Sequence, residues 1–194
     1  FSKEWLDTIR QIFEQTARRM SKYFASFFEN LCYFGISGVD VVTYEEFIRS
    51  SYTPSANFII ESSGEPFVIQ IEPAIAIQLL YGQLMQMTEN LNLNGHRDLI
   101  RLESESLEAR VIKPILTNIN KAIEEVSKRL SQKNDSEGGL LSFGKIEFQN
   151  NPSFVDAAMP QDMCVLITME SRMFEKEGMI QICLPRFFVQ NKLG

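Results

Sequence analysis

The sequence predicts an α/β domain in which two halves share one largely antiparallel sheet. Three observations predict it: a long amphipathic helical pattern in each half, short strand-like runs after each of these patterns, and an order of helix and strand signals that repeats. Amphipathic helices and half-buried strands each need a facing layer, so we expect the two halves to form a sandwich around one core.

The first half opens on a long amphipathic helix over residues 5–28. Apolar residues recur there at helical spacing, and basic or polar residues fill much of the remainder, which predicts one buried stripe. Residues 32–42 alternate loosely and predict a strand. Residues 57–71 hold two apolar runs around Ser-Gly-Glu-Pro at 63–66, which predicts a hairpin with a Gly-Pro turn.

The middle of the chain predicts two helices with a connection between them. Pro73 suits the first position of a helix, where its missing N–H is not needed, and the apolar residues after it predict a short helix to about Met87. Residues 88–101 are rich in Asn and Gly and predict a connection. Residues 107–130 then return to helical spacing, with Pro114 expected to kink the helix near its start.

The second half ends in strands. Residues 131–144 are polar and glycine-rich and predict a flexible loop, after which strand-like runs follow at 145–149, 163–169 and 179–184. The two halves close on similar phrases, FVIQIEP at 67–73 and MIQICLP at 179–185, in which a strand ends at a proline able to start a helix. We therefore predict a duplicated unit.

Length and composition fit one globular domain. The chain has 194 residues, 44% of them hydrophobic, with 15 phenylalanines, which is enough to bury a substantial core. We predict a single domain over 1–194, built of half-repeats at about 1–100 and 101–194. The chain begins at Phe1 and enters a helical pattern at once, which suggests a piece of a longer protein.

Charge and patterning argue against several classes of partner. The formal charge of −6 and the scattered Lys and Arg disfavour nucleic-acid binding, which needs clustered cations. We expect no membrane insertion and no signal peptide, because no apolar run approaches the ~18–20 residues of a spanning helix. Cys32, Cys164 and Cys183 lie far apart with no C-x-x-C spacing, so we expect buried free thiols and no metal.

The residues carry little that predicts catalysis. The single histidine, His96, lies in the Asn-Gly-His-Arg connection with no second metal ligand nearby, and is expected to be plain surface. Nucleophile-elbow, dinucleotide and phosphate-loop motifs are all missing from the sequence. We therefore expect no enzyme activity, no cofactor and no catalytic residues.

Three stretches resemble one known family. Residues 12–21 (IFEQTARRMS) are similar to its first-helix phrase I-H-E-x-F-A-R-x-L-S, with phenylalanine in place of the histidine. Residues 42–50 (VTYEEFIRS) are similar to T-Y-x-E-F-x-x-S, and residues 107–112 (LEARVI) to I-E-x-x-V-I. Further similarity runs through 151–185, where NPSF (151–154), MCVL (163–166), EG (177–178) and ICLP (182–185) fall in the order of the family's N-P-x-F, M-x-V-L, E-G and L-C-I-P. On these residues the chain resembles the middle domain of the FliM family of flagellar motor switch proteins.

The resemblance implies a fold and a set of partners. It implies a three-layer α/β/α sandwich with an internal pseudo-twofold repeat, in which a mostly antiparallel sheet is flanked by long helices. It also implies a non-catalytic module of the cytoplasmic ring at the flagellar base, peripheral at the cytoplasmic face of the inner membrane. This module would associate with neighbouring FliM copies, contact FliG and relay phospho-CheY signals to the direction of rotation. In the family, phospho-CheY and FliN bind mainly through segments outside these residues.

The implied FliG contact falls at the end of the short helix. The family continues there as L-F-G-G-x-G, a loop implicated in FliG contact, and the matching residues here are Leu80, Tyr81, Gly82 and Gln83. Only the first glycine of that motif is present. Gln83 cannot reach positive φ as easily as glycine, so a divergent paralogue without normal FliG binding is one alternative.

An enzyme is the second alternative. CheC and CheX, which share the fold, are phospho-CheY phosphatases that use a helix-borne Glu-x-x-Asn to position the attacking water. The matching helix positions here hold Glu14 with Ala17, and Glu108 with Val111, so the asparagine is missing from both. Glu89 and Asn92 have the right spacing but lie in the predicted connection, where chance explains them.

Overall fold

The computed structural model describes residues 1–87, 97–130 and 140–193, with the side chains of 85–87 left aside. The predicted connection at 88–101 and the predicted loop at 131–144 fall largely outside these residues. His96, Glu89 and Asn92 fall wholly outside them.

Helices and strands follow the predicted order closely. The helical elements are α1 (Lys3–Phe28), α2 (Tyr44–Arg49), α3 (Pro73–Met87), α4 (Arg101–Leu107), a π-helical turn (Glu108–Ile112), α5 (Lys113–Leu130), a 3-10 turn (Pro152–Phe154), α6 (Arg186–Phe188) and a final π-helical turn (Val189–Leu193). The strands are β1 (Cys32–Thr43), β2 (Ala56–Ser62), β3 (Glu65–Ile71), β4 (Ile146–Gln149), β5 (Met163–Met173) and β6 (Lys176–Pro185). The predicted short helix after Pro73 is confirmed, and the structure describes it as far as Met87.

Helix α1 is held at both ends by local chemistry. The hydroxyl of Ser2 accepts a hydrogen bond from the backbone N–H of Trp5 at 3.2 Å, which satisfies one free donor of the first turn. Glu29 ends the helix in the left-handed conformation, with φ at 51°. Between these ends, one stripe of eight residues is buried: Ile9, Ile12, Phe13, Thr16, Ala17, Met20, Phe24 and Phe28.

The second long helix contains a π-helical turn just before Pro114. Pro114 has no N–H, so it cannot donate to the carbonyl of Arg110 as an α-helix requires. One residue before the proline, the Lys113 N–H donates a hydrogen bond to the carbonyl of Glu108, five residues back. This π-helical turn lets α4 and α5 continue as one helical run.

The sheet has six strands in the order β1-β5-β6-β3-β2-β4, and all neighbouring pairs are antiparallel. Each strand of the first half has a counterpart in the second: β1 and β4, β2 and β5, β3 and β6. If the counterparts are exchanged, the same strand order results, counted from the opposite edge of the sheet. Strands β3 and β6 lie side by side at the centre. The strand order therefore has the pseudo-twofold symmetry that the fold prediction contained.

The two hairpins also correspond residue by residue. Ser63 and Gly64 form the turn of one, Phe174 and Glu175 that of the other, and all four have positive φ. Gln70 and Gln181 each lie six residues beyond the turn and pair with each other across the central strands. The phrases at 67–73 and 179–185, aligned on their prolines, are therefore one residue out of structural register.

The predicted Gly-Pro turn is wrong in detail. Only Ser63 and Gly64 form the turn, and Pro66 lies inside β3 opposite Glu61. The backbone nitrogen of residue 66 faces the β6 side of the strand, but β3 and β6 begin to pair only at Val68. The missing N–H of Pro66 therefore costs no ladder hydrogen bond.

Gly178 lies inside β6 and not in the β5–β6 turn. The turn lies at Phe174 and Glu175, and Gly178 pairs with Ser171 within the strands. A Cβ at Gly178 would come within 2.4 Å of Ile75 Cγ1. Glycine is needed there because α3 packs directly against β6.

The sheet separates two cores of unequal size. On one face, α1, α3, α5 and α6 cover the larger core, in which Phe13, Phe24 and Phe67 are almost fully buried. On the other face, α2 and the segment after β4 cover a smaller core around Phe47 and Val68. Each buried phenylalanine contributes about 2–3 kcal/mol. The predicted three-layer sandwich is confirmed, with both long helices on one face.

Candidate functional site

The predicted contact residues lie in a helix. Leu80, Tyr81, Gly82 and Gln83 belong to the later turns of α3, which continues to Met87. None of the four is among the residues with positive φ in the described part of the chain. The glycine-dependent loop expected here is therefore replaced by regular helix, in which glutamine is favourable.

Gly82 is buried against the β5–β6 turn. A Cβ at this position would lie 2.3 Å from Phe174 Cδ2, far inside van der Waals contact. The Phe174 ring in turn packs edge-to-face on Phe28, with 5.6 Å between ring centroids. Gly82 thus allows α3, the β5–β6 hairpin and the end of α1 to meet at one point.

Gln83 completes the end of α1. Its Nε2 donates a hydrogen bond of 2.8 Å to the backbone carbonyl of Phe28, in the last turn of that helix. Carbonyls in the last turn have no partner within the helix and need one from outside. The residue that departs from the glycine motif therefore has a structural role in this chain.

Tyr81 belongs to a buried ionic network. Its hydroxyl donates to Glu103, and Arg97 donates to the same carboxylate through two 2.7 Å hydrogen bonds. The Ile100 N–H donates to Glu103 as well, at 3.0 Å. The Glu103 side chain is only 3% exposed, and these donors lower its pKa to about 2, Arg97 having the largest effect. The network fastens α3 to the start of α4.

The same end of the domain also exposes apolar side chains. Gln83 and Leu84 face solvent, Leu84 being 48% exposed, while Leu80 and Tyr81 are half-buried. Leu31, just beyond α1, is 88% exposed. We call Leu31, Gln83 and Leu84 the α3-end surface. It consists of two exposed leucines and one exposed amide side chain on a packed base, as expected for an interaction site.

Sequence reasoning missed two residues that build this site, Phe174 and Glu103. Phe174 lies between the predicted strand runs at 163–169 and 179–184, and no local pattern ties it to Gly82. A signal did exist for Glu103: an acidic residue at the third position of a helix accepts a hydrogen bond from the N–H before the helix. The prediction started that helix at 107 rather than at Arg101 and so overlooked it.

One of the resembling phrases, at 42–50, is anchored on the opposite face of the sheet. The Tyr44 hydroxyl of α2 donates to the carbonyl of Val155 at 2.5 Å and accepts from the Ala157 N–H at 3.3 Å. Thr43 and Glu46 form a reciprocal capping box at the start of α2. The phrase at 42–50 therefore stabilises the smaller core, through bonds to residues just beyond the phrase at 151–154.

The geometry offers no catalytic constellation in the described ranges. They contain no group of three His, Cys, Asp or Glu side chains able to hold a metal. Ala17 and Val111, where a phosphatase would place its asparagine, are each 1% exposed and belong to the larger core. At these helix positions the side chain faces inward, away from any substrate.

The cysteines are buried and unpaired, as predicted. Burial raises the pKa of Cys32 to about 11 and that of Cys183 well above its usual range. The thiolate is the reactive form, so these side chains behave as small apolar core residues. Of the helices in the described residues, none is long and apolar enough to cross a membrane.

Known proteins of one family are similar to this chain along nearly its whole length. The family model "Flagellar motor switch protein FliM" matches residues 2–191. The FliM proteins of Treponema pallidum and Thermotoga maritima are each 28% identical, over 98% and 95% of this chain and 52% of their own length. The chain thus spans about half the length of these curated relatives.

Solved structures show the same fold. The FliM middle domain of H. pylori superposes with a TM-score of 0.81 at 18% identity, covering 100% of this chain and 98% of that one. The chain matched in a crystal structure of the H. pylori FliG–FliM complex gives a TM-score of 0.80 at 18% identity, over 100% and 99%. With the family model matching nearly every residue, the chain belongs to the FliM family of flagellar motor switch proteins.

Proposed function

We propose that this domain is a non-catalytic structural module of the flagellar motor switch and that it contacts FliG through the α3-end surface. The observation that carries the proposal is the family match over residues 2–191 together with the geometry at Leu80–Gln83, where the family motif falls. A homologous H. pylori chain of the same fold was crystallised in a complex with FliG, which supports the choice of partner.

The α3-end surface suits a protein contact for physical reasons. Leu84 and Leu31 present apolar area that the monomer leaves in water, and burial of such area stabilises a complex by about 25 cal/mol per Å² before association costs. Behind them, Gly82 against Phe174 and the Tyr81–Glu103 pair hold the end of α3 in place. A preformed surface loses less conformational entropy on binding.

The wider role follows from the family and belongs to the same proposal. The domain would associate with neighbouring copies in the cytoplasmic ring at the flagellar base, peripheral to the inner membrane. It would pass on phospho-CheY signals received mainly through other parts of the protein, and a further domain would bind FliN. The chain spans about half of its relatives, so these functions are proposed for the whole protein.

The divergent-paralogue alternative rested on Gln83, and the structure weakens that reason. Gln83 lies in a helix and bonds to the carbonyl of Phe28, so the position has no need of glycine. Loss of FliG binding therefore does not follow from this substitution.

Calorimetric titration with FliG from the same organism tests the proposal. We expect a complex with the unaltered domain and a loss of affinity of roughly tenfold or more for Leu84→Glu, which places a charge in the buried contact. Met159→Glu is the matched control. Met159 is 59% exposed and lies in the segment after β4, which covers the smaller core on the other face of the sheet. If FliG fails to bind, or binds both variants equally, the proposed contact is wrong.

A further inference from the structure

In the part of the chain that the structure describes, the sheet face with the smaller core is only half covered. On this face, α2 and the segment after β4 bury Ile59 and Val68, which lie four residues before and four residues after the turn of the β2–β3 hairpin. The residues at the same positions of the β5–β6 hairpin are Glu170 and Met179. Glu170 is exposed and Met179 is only half-buried. The second half of this face is therefore polar and open to solvent, not a second core.

A cavity of about 350 Å³ lies on this open half of the sheet. Two tyrosines of its lining are exposed, Tyr33 at 57% and Tyr52 at 49%. The Tyr33 ring lies along β1 above Gly35, where its hydroxyl takes the space that a Cβ of residue 35 would need. Gly35 pairs with Glu170 in the sheet, so the ring borders that carboxylate. The cavity thus presents aromatic and acidic groups side by side.

Two carboxylates of the lining converge on Met179. Glu72 Oε2 accepts a hydrogen bond from the Met179 N–H at 2.7 Å, and Glu170 lies opposite Met179 in the neighbouring strand. Neither glutamate forms a salt bridge with another described residue. The other two charged residues of the lining, Arg172 and Glu177, pair with each other at 2.8 Å. Three glutamates against one arginine leave the cavity with an excess of two negative charges.

We propose that this cavity binds an arginine side chain, presented by a segment of another protein that covers the open half of the sheet. A guanidinium stacks on tyrosine rings and donates hydrogen bonds to carboxylates, and its aliphatic stem can pack against a methionine. A metal ion is disfavoured, because the described ranges hold no group of three His, Cys, Asp or Glu side chains suited to one. A protein segment is favoured over a free small molecule because segments of chain cover the matching half of this face, and a sheet packs against such a facing layer.

This site is separate from the α3-end surface. Helix α3 packs on the face of the sheet with the larger core, whereas Glu170 and Met179 lie on the face of Leu166 and Cys183, in the smaller core. Binding of an arginine here therefore does not depend on FliG contact at α3.

Nuclear magnetic resonance titration of the 194-residue chain with two short blocked peptides tests the inference. One peptide has arginine at its centre. The other has citrulline there, which keeps the shape of arginine but has no charge. We expect the arginine peptide to bind about tenfold more tightly, because only its side chain is a cation. Its binding should shift the amide signals of Tyr33, Glu170 and Met179, and should weaken as the salt concentration rises.

Two variants assign the binding to this cavity. Glu170→Gln removes one carboxylate charge, and Tyr33→Leu removes an aromatic face but keeps an apolar side chain. Each should weaken binding of the arginine peptide by about three- to fivefold, as expected for one contact at a partly exposed site. Glu61→Gln, at an exposed carboxylate of β2, is the matched control and should bind as the unaltered chain does. Leu84→Glu should also leave peptide binding unchanged, which separates this result from failure of the FliG contact.

Three results would overturn the proposal. The first is no binding of the arginine peptide, or binding equal to that of the citrulline peptide. The second is binding that neither Glu170→Gln nor Tyr33→Leu weakens, when thermal unfolding shows both variants to be folded. The third is free butylguanidinium binding as tightly as the arginine peptide, which would assign the cavity to a small guanidinium compound instead of a protein segment.

Discussion

The Cα of Gly82 lies so close to the Phe174 ring that a methyl group there would be 2.3 Å from Cδ2. We expect Gly82→Ala to lower the free energy of unfolding by about 1–3 kcal/mol, because the added carbon forces the ring or the end of α3 to move. Urea denaturation measures this. Gly144→Ala is the control, since its Cβ would meet only the Glu61 carbonyl at an ordinary 3.7 Å. Equal stability of Gly82→Ala and the unaltered chain would contradict the packing described.

If the clash between the new methyl group and Phe174 causes the loss of stability, a second substitution at Phe174 should relieve it. Phe174→Leu shortens the side chain that the new methyl group meets. The combined variant should therefore lose less stability than the two single changes added together, as expected for directly contacting residues. Additive losses would mean that the two side chains do not meet.

Restoring the family glycine should harm the fold of this chain. Gln83→Gly removes the hydrogen bond to the Phe28 carbonyl and places glycine inside a helix, which together cost about 1–2 kcal/mol. Gln83→Ala removes only the hydrogen bond and should cost about 0.5–1.5 kcal/mol. Thermal or urea unfolding distinguishes the two. A Gly variant more stable than the native chain would show that the helix here is strained.

The Glu103 network predicts a defined pH dependence. Folding lowers the pKa of this carboxyl from 4.5 to about 2, so its ionised form contributes about 3 kcal/mol above pH 5. That contribution falls as pH drops through 4.5, and about 2 kcal/mol of it is lost at pH 3. Glu103→Gln should therefore be clearly destabilised at pH 7 and much closer to the native chain at pH 3. A stability difference that does not change with pH would rule out the ionic network.

The smaller core depends on one buried hydroxyl. Tyr44→Phe leaves the Val155 carbonyl and the Ala157 N–H without their partner, which we expect to cost about 1–3 kcal/mol. Tyr52→Phe is the control, because Tyr52 is 49% exposed and its hydroxyl has no bond to a described residue. Denaturation curves of the two variants should differ clearly; matching curves would show that the Tyr44 bonds contribute nothing.

Much of this fold was predictable because local pattern and tertiary packing agree. The buried stripe of α1 and the strand runs are periodic over many residues, so the fold class followed from the sequence. The register between the half-repeats did not follow from the sequence, because aligning the two prolines gives an alignment that differs by one residue from the Gln70–Gln181 pairing. Periodicity fixes which face of a strand is buried but says little about its partner.

The candidate site was harder to predict than the fold. The positions 80–83 came from resemblance alone, and the expectation of a loop was wrong because Gln83 gains a partner in Phe28. In its local sequence, Gly82 indicates only a flexible backbone. In the structure it allows close contact with Phe174, which is far away in sequence. Contacts of this kind are set by how helix and hairpin ends converge, which no local pattern encodes.

Hydrogen–deuterium exchange of the domain with and without FliG tests the central claim most directly. The account predicts slower exchange on complex formation at residues 80–87 and 28–31, with the segment 152–160 on the opposite face unchanged. Protection confined to 152–160, or no protection anywhere in the presence of saturating FliG, would contradict the proposal that the α3-end surface is the FliG contact.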